Sequence, residues 1–149
     1  MNYKVPEKYM KDLEAFLSGS GIPGVSIDVV DHDTLIGVLG NNAKELNFGA
    51  SDYAMDGTGE VYLNEDMDLP GYFGVGAHEI AHKYTEYGNE DATDELAIMG
   101  LLNISMDSTK PMDLRMKAKY GIEALREIDQ MEKNLAQKAV KYLHEEGMN

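Results

Sequence analysis

Cysteine and tryptophan are absent from this 149-residue chain. Without cysteine there is no disulfide framework and no thiolate metal ligand, so histidine and carboxylate must do any metal binding, and redox chemistry leaves the compartment open. Basic residues are scarce: 13 Lys and Arg stand against 27 Asp and Glu, a net charge of −14. Phosphate-rich surfaces are repelled by such a charge, which argues against nucleic acid and against anionic membranes as partners. The acidity serves solubility, or suits the chain to high salt. Long hydrophobic runs are also missing. No window approaches the roughly 20 apolar residues of a membrane-spanning helix, and the opening Met1 to Lys8 segment lacks the apolar centre of a signal peptide. These features predict a cytoplasmic protein. Neither an internal repeat nor a low-complexity linker divides the chain, so residues 1–149 read as a single domain.

What is present is a globular composition, 43% hydrophobic, arranged in recognisable periods. Pro6 and the spacing of Tyr9, Leu13, Phe16 and Leu17 predict a helix over 6–18, stopped by Gly19. A turn at Gly21 to Gly24 precedes a β-branched strand at Val25 to Val30. A second strand is expected at Thr34 to Leu39 and a third at 45–50. The turn signal Asp56-Gly57-Thr58-Gly59 introduces a strand at Glu60 to Asn64. From Pro70 the periodicity is helical: about Tyr72 to Tyr87, about Glu90 to Asn103, and Met112 to Glu146 with a bend at Gly121. This order predicts an α+β domain: an N-terminal helix, a small, mostly antiparallel sheet, then a site helix, a ligand helix and a long C-terminal helix.

Residues 78 to 82 read His-Glu-Ile-Ala-His. Four helical residues turn through about 400°, so the two imidazoles share a face one turn apart and can grip one metal ion. Glu79 lies at the edge of that face, where it can take a proton from water polarised by the metal. Two histidines and a glutamate among Phe73, Val75, Ala77, Ile80, Ala81 and Tyr84 are costly unless something pairs them. Imidazole nitrogens at tetrahedral geometry suit Zn2+, with an open fourth position for chemistry. His78 and His82 are therefore the candidate metal ligands and Glu79 the candidate general base.

A third ligand is required. Gly88-Asn89 reads as a helix stop followed by an N-cap. If two helices fold back about this turn, the level of His82 is met again some six residues on, at Asp94 or Glu95. Glu95 also precedes Ile98, Met99 and Leu102 at helical spacing, and a carboxylate on an apolar stripe needs a partner. Glu95 is the preferred third ligand. Glu90 would stand roughly 10 Å further along unless the first helix stops early, in which case it is the alternative.

The segment Val75-Gly76-Ala77-His78-Glu79-Ile80-Ala81-His82-Lys83-Tyr84-Thr85-Glu86-Tyr87 resembles the active-site helix of the thermolysin-type gluzincins, within the zincin metallopeptidases. Asn89-Glu90 and Asp94-Glu95 resemble that family's two Asn-Glu pairs, and the resemblance implies Glu95 as the zinc ligand. The chain departs from the family at Met99, where an aspartate usually stands. The compact ImmA/IrrE-like gluzincins offer another register, which selects Glu90 and Asp94. Either resemblance implies a zinc metallopeptidase acting on peptide or protein substrates. In zincins an edge strand beside the helix pairs with extended substrate, and Glu60 to Asn64 is the expected one. Tyr84, Tyr87 and Tyr120 are candidates for stabilising the oxyanion; His32 and His144 read as surface residues. The C-terminal helix is expected to cover the domain or to pair with a second copy as a homodimer. The competing reading is a catalytically silent zincin-like binding or regulatory module.

Overall fold

Short local signals decide where each element begins. The computed structural model describes residues 4–43, 47–86 and 89–145. Helix α1 (Glu7–Ser18) follows Pro6 and stops at Gly19, whose φ of 75° is the left-handed conformation that glycine adopts at least cost. Its Tyr9, Leu13, Phe16 and Leu17 are all buried, as their spacing predicts. Strand β1 is Val25–Val30. The next segment departs from expectation. Thr34 to Leu39 belongs to a helix, α2 (His32–Leu39), not a strand, because the Asp31 carboxylate accepts from the Thr34 backbone N–H at 2.7 Å and caps it. A single cap here overrides the β propensity of the apolar run.

Strands β2 (Gly49–Tyr53) and β3 (Gly59–Asn64) form an antiparallel hairpin. Residues 45 and 46 of the expected third strand lie outside the described residues. The sheet order is β1-β3-β2, with β1 and β3 parallel. The sheet is therefore mixed rather than mostly antiparallel, since the connection through α2 and β2 returns the chain to run alongside β1. It follows that Glu60 to Asn64 is the central strand, hydrogen-bonded on both sides, and not the edge; β2 is an edge strand.

Three helices complete the α+β domain: α3 (Leu69–Ala81), α4 (Glu90–Met106) and α5 (Met112–Glu145). Glu146, the expected end of the last helix, lies outside the described residues. Helix α3 is central. Its Ala77, Ile80 and Ala81 are fully or almost fully buried with Leu13 and Leu17 of α1, Val61 and Leu63 of β3, Leu101 of α4 and Ala118 of α5. Helix α5 runs unbroken through Gly121, which marks a crossing. A Cβ at Gly74 of α3 would stand 2.6 Å from the Gly121 carbonyl oxygen. Backbone meets backbone there, so neither side has a rotamer with which to yield. Gly74→Ala is therefore expected to destabilise the domain by about 1–3 kcal/mol, the usual range for overpacking. Thermal unfolding measures this, and an unchanged melting temperature would show that α3 and α5 are not held at this spacing. Among the described residues, no helix is long and apolar enough to cross a membrane.

Candidate metal centre

Helix α3 opens at Asp68, whose side chain accepts from the Gly71 N–H at 2.9 Å, with Pro70 in the first turn. Thirteen residues later its α-helical geometry ends, at Ala81, and His82–Tyr84 continue as a 3-10 turn. His78 and His82 stand on the same side, their rings 4.8 Å apart and nearly perpendicular. A ligand atom from each of His78, Glu79 and His82 lies within 4.8 Å of the others, so this group could hold a metal ion.

The early helix stop decides what faces the imidazoles. Asn89 caps α4 by accepting from the Ala92 N–H at 3.0 Å, and the first turn of α4 comes level with the histidines. The Glu90 carboxylate spans both rings: Oε2 lies 2.9 Å from His78 Nε2, and Oε1 lies 3.4 Å from His82 Nε2. Each ring meets a different oxygen of Glu90, at separations near the roughly 3.3 Å between donors that stand about 2.0–2.1 Å from a tetrahedral ion. One turn further along α4, Asp94 Oδ1 lies 2.6 Å from His78 Nδ1. That contact fixes the ring's orientation and leaves Nε2 to face Glu90. Glu95, the preferred ligand by spacing, is exposed on α4 and makes no ion pair with either histidine, because the early end of α3 brings the first turn of α4 level with them. The predicted stop at Gly88, with Tyr87 before it, lies outside the described residues, but the α-helix has already ended at Ala81.

Burial opposes the proton on His78, yet the adjacent Asp94 and Glu90 carboxylates outweigh it and raise the pKa from 6.5 to about 10. A metal would compete with that proton for the ring. Glu79 is 7% exposed. Burial pushes its carboxyl above the ordinary carboxylate range, against the opposing pull of His78, His82 and the Ser51 hydroxyl.

Two contacts to Glu79 come from β2 and carry no motif. Ser51 donates to Glu79 Oε1 at 2.8 Å, and Tyr53 donates to the Glu79 carbonyl oxygen at 2.9 Å. The strand lies close because Gly49 has no side chain; a Cβ there would meet Val75 at 2.9 Å and Glu79 at 3.2 Å. The only hint in the sequence is parity, since 49, 51 and 53 share one face of a strand. Of the tyrosines singled out above, Tyr84 donates to the Asp12 carboxylate on α1, and Tyr120 is exposed on α5. Neither touches an imidazole. Asp12 also takes Lys83 at 3.6 Å, so α1 anchors the turn that carries His82. Thr85 and Thr93 close the far side, Oγ1 to Oγ1 at 2.7 Å. His32 and His144 are exposed, as their reading as surface residues expects. No protein-family model, no curated protein and no solved structure matches the chain.

Proposed function

We propose that this protein is a zinc-dependent metallopeptidase, with His78, His82 and Glu90 as ligands and Glu79 as general base. The observation that carries this reading is the convergence of two imidazole Nε2 atoms on one carboxylate, with a second, buried carboxylate alongside. Glu90 takes the place that the spacing assigned to Glu95, and Glu90 with Asp94 follows the ImmA/IrrE-like register. Two imidazoles and one carboxylate suit zinc with an open position for chemistry, although ferrous iron uses the same donors. Held by these residues, such an ion would supply Lewis acidity for polarising a carbonyl and for lowering the pKa of nearby water.

The chain's residues divide the remaining work. Glu79 takes a proton from the attacking water and passes it to the leaving amine. Burial raises its pKa, the direction that suits a base which must also return the proton. Ser51 holds Oε1, which fixes the rotamer and directs the other oxygen. Asp94 keeps His78 in the tautomer that presents Nε2. As the edge strand beside α3, β2 offers backbone groups with which an extended peptide can pair, the role first assigned to Glu60 to Asn64. The cytoplasm is the compartment proposed.

Elemental analysis of the purified protein, joined to a mixed-peptide cleavage assay with and without chelator, tests the reading. About one zinc per chain and chelator-sensitive cleavage are expected. Iron in place of zinc would overturn the metal assignment. Full zinc loading with no cleavage of any peptide would favour the silent binding module.

A further inference from the structure

Arginine occurs only twice in the chain, at positions 115 and 126. Both line one groove of about 440 Å3 between α4 and α5, together with Lys119. Offsets of four and seven residues place the three on a single stripe of α5. Among the described residues, Lys11, Lys83, Lys110, Lys117, Lys133 and Lys141 form ion pairs, while Lys4, Lys8 and Lys138 stand singly without one; what sets this groove apart is that it gathers three such cations on one stripe. Among the described residues, neither arginine nor Lys119 forms an ion pair. Arg115 uses its Nε–H on the Ser105 carbonyl oxygen at 3.2 Å and feels the Asp107 carboxylate electrostatically without an ion pair to it. Glu123 shares the wall without pairing to any of the three. The floor is apolar, from Leu102 and Ile122, with the flexible Met112 and Met116 at one end.

We propose that this groove docks an acidic amphipathic segment of a partner protein. Apolar side chains of that segment enter between α4 and α5, where methionines adapt to their shape. Its flanking carboxylates pair with Arg115, Lys119 and Arg126, the helix-in-groove mode with charge-set orientation. Charge complementarity selects this occupant. A bilayer or a nucleic acid would present continuous negative charge to the whole molecule, whose net charge is −14. A short acidic segment presents its charge only within a Debye length of about 8–10 Å from the three cations. The groove also lacks the aromatic platforms on which bases stack. This inference rests on surface chemistry alone and stands whether or not the metal centre is a peptidase site.

Fluorescence anisotropy on the full chain tests it with three labelled helical peptides: Leu/Glu amphipathic, Leu/Gln amphipathic, and Ser/Glu. At about 0.1 M salt, where the screening length is about 10 Å, the Leu/Glu peptide is expected to bind with Kd on the order of 10 µM, at least about tenfold tighter than the other two, and to weaken as salt is raised further. The double variant Lys119→Glu, Arg126→Glu should bind it at least about tenfold more weakly. Both side chains are exposed, so the fold should survive, as a thermal melt will check. Equal binding by parent and variant, or no preference for Leu/Glu, overturns the proposal. So does binding of phosphatidylglycerol vesicles or a single-stranded oligonucleotide in place of the peptide.

Discussion

Glu79→Gln is expected to lower peptide hydrolysis by a factor on the order of 10² to 10⁴, the usual contribution of general acid–base catalysis, while metal content stays at the parent's level. The substitution keeps shape and burial. Ser51 can still donate to the amide oxygen as it donates to Oε1 at 2.8 Å. Only the capacity to take a proton is lost. Stability should not fall, because a neutral amide removes the desolvation cost that raises the carboxyl's pKa. Rate, metal content and melting temperature on one preparation separate the possibilities. An unchanged rate would mean that Glu79 is not the base. Loss of metal would mean that it is a ligand.

Three single variants on α4 should separate by rank. Glu90→Ala removes the carboxylate that spans both imidazoles, and zinc affinity should drop by more than about 100-fold as the three proposed ligands become two. Asp94→Asn weakens the support of His78 Nδ1 and should cost about 10–100-fold, the range for such outer contacts. Glu95→Ala, on an exposed side chain, should change nothing. Competition against a chromophoric chelator gives the ranking. The reverse order, with Glu95 dominant and Glu90 inert, would restore the ligand that spacing alone suggested.

Periodicity carried most of the fold. Tyr9, Leu13, Phe16 and Leu17 announced α1, and the apolar stripes after Pro70 announced α3, α4 and α5. The α2 segment resisted because Thr34 to Leu39 is β-prone and its helical signal is a short one, the Asp31 cap. Strand order resisted for another reason: nothing local to Glu60 to Asn64 states that two strands will flank it. Within the site, His78, Glu79 and His82 were legible because one helix turn fixes their relation. The carboxylate facing them depends on where α3 ends, and helix ends are weakly specified along a chain. Ser51, Tyr53 and Asp12 were invisible, since each reaches the site or its turn from 26 to 72 residues away.

Helix α5 is one hydrogen-bonded rod with two clocks. Up to Leu125 it carries buried side chains; from Asp129 to Glu145 every side chain but Leu135 is exposed. That outer stretch, about 25 Å at 1.5 Å per residue, has almost no packing to hold it. Most helical stability in proteins comes from tertiary packing, which this stretch lacks. Amide protons beyond Ile128 therefore exchange through fraying on short timescales, while those near Gly121, locked against α3, wait for the whole domain to open. The tip reports local fraying and the root reports global opening, so a single helix holds a fast and a slow reading of the same molecule.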